Sequence, residues 1–76
     1  MKIAFKESDW VKAEDGYTYT VPNSQHGLGN DVVCQVYVQA EDGSFERENV
    51  NIKVNPAGDI ILAVNDGGIN GVIIIK

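Results

Sequence analysis

Cysteine, histidine, tryptophan and methionine each occur once in these 76 residues, and proline only twice. A lone thiol, Cys34, excludes an intrachain disulfide. One His and one Cys, with no CxxC or HxxxH spacing, leave no ligand set for a structural zinc. Basic residues are also few, six Lys and Arg against eleven Asp and Glu, for a formal net charge of −5. They stand singly along the chain at Lys2, Lys6, Lys12, Arg47, Lys53 and Lys76. Binding to a phosphate backbone needs clustered cations, so nucleic acid is not an expected partner. No run approaches the ~18 apolar residues of a membrane helix, and membrane insertion is not expected. Met1–Phe5 is interrupted by charge too soon for a signal peptide. Neither GxGxxG nor GxxxxGK occurs, so no nucleotide or other cofactor is expected.

What is present is a succession of short strands and turns. Tyr17, Tyr19 and Val21 alternate with Thr18 and Thr20, the period of a strand with one buried face. Pro22 ends that strand, and residues 23–30 (NSQHGLGN) form a polar loop with two glycines. Val32, Cys34, Val36 and Val38 then share a face. Val33, Gln35, Tyr37 and Gln39 occupy the other, a mixed surface suited to water or a partner. Asp42-Gly43 fits a hairpin turn. Phe45 follows, and Val50, Ile52 and Val54 alternate with Asn51, Lys53 and Asn55. After a turn at Asn55-Pro56-Ala57-Gly58, Ile60, Leu62 and Val64 share one face, with Ile61 and Ala63 opposite. A further turn at Asn65-Asp66-Gly67-Gly68 precedes Val72–Ile75.

The expected fold is all-β, a small antiparallel β-sandwich or barrel of about six to seven short strands in a single domain, residues 1–76. Residues 17–76 form the strand-turn core. Residues 1–16 are a less regular segment, with a short strand at Lys2–Phe5, a helical turn near Ser8 (its cap) and Asp9, and a turn at Asp15-Gly16. Residues 6–16 either pack on the sheet or reach to a neighbour.

Two stretches, Ile60–Val64 and Val72–Ile75, are apolar on both faces. Such a strand is either central between packed layers or lies against another molecule. A domain of this size buries little more than ~60% of the surface its unfolded chain exposes and commonly gains stability from oligomerisation. Ile61, Ile73 and Ile75, with Tyr37 secondary, are therefore the candidate interface residues.

Few residues offer chemistry. His26 has no nucleophile elbow and no second ligand near it in sequence; its expected role is to bond a backbone carbonyl and order a glycine-containing loop. Cys34 lies in an apolar alternation with no cation beside it and reads as a core thiol. The carboxylates Glu14-Asp15, Glu41-Asp42 and Glu46/Glu48 form neither a calcium loop nor a facing pair, and read as turns and solvated surface. Trp10, Tyr17, Tyr19 and Tyr37 suit a core, a protein contact or a carbohydrate platform. No catalytic residue and no metal ligand is assigned, and an enzyme is not expected.

An aromatic strand ending in proline (YTYTVP), then HGLG, a Val-rich strand with a tyrosine (VVCQVYV), PAGDIILAV and GVIII resembles small β-rich modules of tailed-bacteriophage virion proteins, of tail-fibre or capsid-attached type. The resemblance spans about residues 17–76. Its most specific parts are HGLG and a strand, N-x-x-G-D, strand ending. It implies a non-enzymatic building block of a virion, made in the host cytoplasm. Its partners would be its own copies, a homotrimer being favoured, or other virion proteins. Such modules are often appended to longer fibre chains, whereas this one starts at its own Met1, as expected of a free-standing decoration, neck or tail accessory. The alternative is a module recognising carbohydrate or a cell surface through Trp10, Tyr37 and the His26 loop.

Overall fold

The computed structural model describes residues 1–47, 50–65 and 67–76. Eight strands form two antiparallel four-stranded sheets packed into a sandwich. Sheet A contains β1 (Lys2–Phe5), β8 (Gly71–Ile75), β4 (Cys34–Gln39) and β5 (Phe45–Arg47), in that order. Sheet B contains β2 (Val11–Ala13), β3 (Gly16–Val21), β7 (Ile60–Val64) and β6 (Asn51–Val54). The hairpins β2–β3, β4–β5 and β6–β7 each stay within one sheet, and the remaining connections carry the chain across.

Register explains the alternation. Tyr19 pairs with Leu62 and Val21 with Ile60 across β3 and β7, and Ile3 and Val36 flank Ile73 across sheet A. Directly paired residues share a face, so these rows point between the sheets. Phe5, Trp10, Val21, Val36, Ile60, Leu62, Ile73 and Ile75 form one buried cluster. Cys34, opposite Ile75, packs against it, and burial pushes its thiol pKa up, the behaviour of a core thiol.

The first sixteen residues are integral to the sandwich. β1 forms an edge of sheet A against β8, and β2 forms an edge of sheet B against β3. The helical turn is a 3₁₀ turn at Glu7–Asp9, closed by the Asp9 carboxylate accepting the Lys6 N–H at 2.8 Å, so Asp9 does the work expected of Ser8. The count of eight exceeds the expected six to seven because β2 and β5 are three residues each, too short to show a period. Phe45 and the alternating Ile52 and Val54 belong to different sheets, β5 to sheet A and β6 to sheet B. Glu48 and Asp66, which fall among the candidate carboxylates and turns, lie outside the described residues. No helix among the described residues is long and apolar enough to cross a membrane.

Candidate functional site

His26 ends a single helical turn, α1 (Asn23–His26), which Gly27 closes in the left-handed conformation at φ 67°. The ring is buried, 4% exposed. Its Nδ1 accepts the Leu28 N–H at 3.0 Å, which places the ring proton on Nε2, 2.7 Å from the Gly58 carbonyl oxygen. The same loops meet again where the Asp59 carboxylate accepts the Asn23 N–H at 2.9 Å. Asn23 in turn accepts the Gly29 N–H through its side-chain oxygen at 3.0 Å, and Asn55 and Asp59 bond reciprocally. Both ring nitrogens are occupied by backbone partners, as expected for a ring that orders its loop. His26 is therefore unavailable as a ligand-loop residue.

This interlock joins the two most specific parts of the sequence pattern. HGLG is His26–Gly29, and N-x-x-G-D is Asn55–Asp59. They lie about thirty residues apart in sequence, and His26 to Gly58 spans 32 positions. Replacing His26 by Ala strands the Gly58 carbonyl and the Leu28 N–H, and should lower unfolding free energy by about 1–3 kcal/mol in urea titrations.

The interlock also sets an acid sensitivity. The Asn23 N–H, then the Asn55 amide, hold the Asp59 carboxyl below the ordinary value of 3.8, with desolvation opposing. The folded carboxyl holds its proton less tightly than the unfolded one. Its stabilisation is thus complete above pH 3.8 and lost as pH falls through the lower folded value. An Asp59→Asn variant should show a flatter loss of stability than the wild type below about pH 4, read by circular dichroism across an acid titration.

Trp10 is 7% exposed. Its indole N–H donates to the Ile69 carbonyl at 3.0 Å, and it meets Phe5 edge-on at 5.6 Å and Tyr19 at 5.8 Å. Of the roles open to it, the core is the one it takes, because one face of a small sandwich needs a large side chain to close it. A carbohydrate platform cannot use a ring held inside.

The candidate interface residues divide. Ile73 and Ile75 are each 0% exposed and point between the sheets, so neither is a contact residue of the folded chain. The reason is the position of β8, which lies inside sheet A between β1 and β4 and faces sheet B with its odd-numbered residues. Ile61 is half-buried on the outer face of sheet B, between Thr20 and Lys53. Tyr37 is half-buried on the outer face of sheet A, between Val72 and Arg47.

That outer face of sheet A is the candidate site. Its rows are Val33 with Lys76, then Gln35, Ile74 and Lys2, then Arg47, Tyr37, Val72 and Ala4. Phe45 pairs with Gln39 at the far end. Val33 is 63% exposed and Phe45 48%, while Ile74 is half-buried. The mixed face expected at Val33, Gln35, Tyr37 and Gln39 is this surface. Ile74 is not identifiable as part of it from sequence, because its strand neighbours Lys2 and Gln35 are distant, and β5 is too short to show which way Phe45 faces. Among the described residues no group of three or more His, Cys, Asp or Glu stands where it could hold a metal. Compared with family models, curated proteins and solved structures, the chain matches none.

Proposed function

We propose that this chain is a non-enzymatic structural module of a virus particle, a small tailed-bacteriophage component that decorates or joins part of the virion through protein contacts. The observation that carries the reading is the outer face of sheet A, where Val33, Tyr37, Phe45 and Ile74 stand on one side of a single sheet. Grouped apolar side chains on one face mark an interaction surface more often than scattered ones do. A second support is the use of the family-like segments. His26 of HGLG bonds Gly58 of N-x-x-G-D, and Asn23 ties Gly29 to Asp59, which suits a structural rather than a chemical use of both segments.

The partners are other copies of the chain or larger virion proteins. Sedimentation velocity tests this with the wild type beside a Phe45→Asp/Ile74→Asp double variant. The wild type should sediment as assemblies heavier than one chain, and the variant as a folded monomer. Equal sedimentation of the two as assemblies would remove the face from the account.

A further inference from the structure

The outer face of sheet A carries charge of one sign. Lys2 and Arg47 lie on its two edge strands and Lys76 follows β8, all three exposed. Among the described residues no Asp or Glu side chain lies in the rows of this face. Half of the chain's six cations thus gather on one side of a protein whose net charge is −5. Cations that are isolated in sequence are brought together by the pairing of β1, β8, β4 and β5.

The opposite side of the sandwich has the complementary feature. At one end of sheet B a half-open groove of about 270 Å³ is lined by Thr18, Asn51, Ala63 and Asn65. Ala63 lies between Thr18 and Asn51 in register, so a small side chain sits where a large one would fill the dent. The exposed carboxylates of Glu14 and Asp15, in the β2–β3 turn, complete the lining.

We propose that copies of this chain associate head to tail, the cationic outer face of sheet A on one copy seating against the acidic groove of sheet B on the next. This rests on the reading of the chain as a structural module and names its partner and both surfaces. A face-to-face pair of sheet A surfaces would set Lys2, Arg47 and Lys76 against the same cations, which is unfavourable. The groove offers the opposite sign, and its volume suits a projecting side chain such as Arg47 or Phe45 rather than a drug-sized ligand. The molecule measures 35 × 28 × 18 Å. A broad side is therefore on the order of 800 Å², one partner's share of a standard interface. Because the two surfaces face opposite ways, the contact is heterologous and propagates as a column.

The test is a charge swap on the full chain. One variant carries Lys2→Glu, Arg47→Glu and Lys76→Glu; the other carries Glu14→Lys and Asp15→Lys. All five positions are exposed, and circular dichroism checks that each variant folds. Glutamine at the same five positions replaces any variant that does not. Light scattering at about 20 mM and about 500 mM salt spans the range over which the screening length falls from roughly 20 Å to 4 Å. Wild-type association should weaken at least about tenfold at the higher salt, as expected of exposed charge pairs. Each reversed variant alone should stay monomeric, and mixing the two should restore assembly, because both surfaces are again opposite in sign. With the glutamine variants, mixing should give pairs of chains only.

Wild-type assembly untouched by salt and by both variants overturns the stacking but leaves the structural module standing, as does a closed trimer. A wild-type monomer at low salt that still binds another particle protein has the same consequence. A wild-type monomer that binds no protein removes both.

Discussion

Replacing Ile73 by Asp should leave the chain unfolded, whereas the same change at Ile74, one residue along, should give a folded protein. Ile73 is completely buried between the sheets, flanked by Ile3 and Val36. An unpaired carboxylate there has no partner and no water, and its burial outweighs the roughly 4–11 kcal/mol that holds a domain of this length together. Even Ile73→Ala should remove about 2–5 kcal/mol by leaving a cavity. Ile74 points the other way and is half-buried on the outer face, so truncation to Ala should lower stability by about 1 kcal/mol. Chemical denaturation followed by circular dichroism measures both. Equal losses at the two positions would mean that β8 is turned over.

The second large effect is expected at Gly71. This residue opens β8, paired with Phe5 on one side and Val38 on the other. A methyl group at its Cα would fall on the Tyr37 carbonyl oxygen of the neighbouring strand and lie 3.2 Å from the Phe5 ring. Backbone on one side and a buried ring on the other leave little room to yield, since Phe5 belongs to the close-packed core. Gly71→Ala should therefore cost about 3 kcal/mol or more, with a fall in melting temperature of roughly 15 °C. Gly43 provides the control. It sits in the exposed β4–β5 turn with nothing near a Cβ, although its φ of 89° makes a side chain strained, so Gly43→Asn should have a far smaller effect.

The strand faces could be read from sequence wherever one face is polar. Tyr17, Tyr19 and Val21 against Thr18 and Thr20 leave only one way to bury β3, and the structure buries it that way. β8 offers no such contrast. Val72 and Ile74 are as apolar as Ile73 and Ile75, and the inward pair is fixed by β1 and β4, whose inner residues Phe5 and Val36 are also buried. Val72, outward and level with Tyr37 and Ala4, is itself buried, and of the outward pair only Ile74 stays half-buried. The inner face of β8 is thus covered within one chain, and the interface expected at Ile73 and Ile75 has no exposed side chain there. β2 and β5 carry too few residues for any period, and crossings between sheets leave no mark on alternation. For His26 the local glycines announced a bonded loop, but its partner Gly58 is a backbone carbonyl in a distant turn, and any residue has a carbonyl.

The same limit governs the surface. Each of Lys2, Arg47 and Lys76 is an isolated cation in the sequence, and Val33, Tyr37, Phe45 and Ile74 belong to three strands or their flanks. Only the order β1-β8-β4-β5 makes them neighbours. What the sequence does convey is that Tyr37 shares a mixed face with Val33, and that face is the one left outward.

The most direct test of the account is a dilution series followed by amide chemical shifts across a hundredfold range of concentration. The account predicts concentration-dependent shifts on the outer row of sheet A, around Val33, Tyr37, Phe45 and Ile74, and at the groove around Glu14, Asp15 and Asn51, with Ile73 and Ile75 unchanged. Spectra that do not move with concentration, or shifts confined to other surfaces, would contradict it.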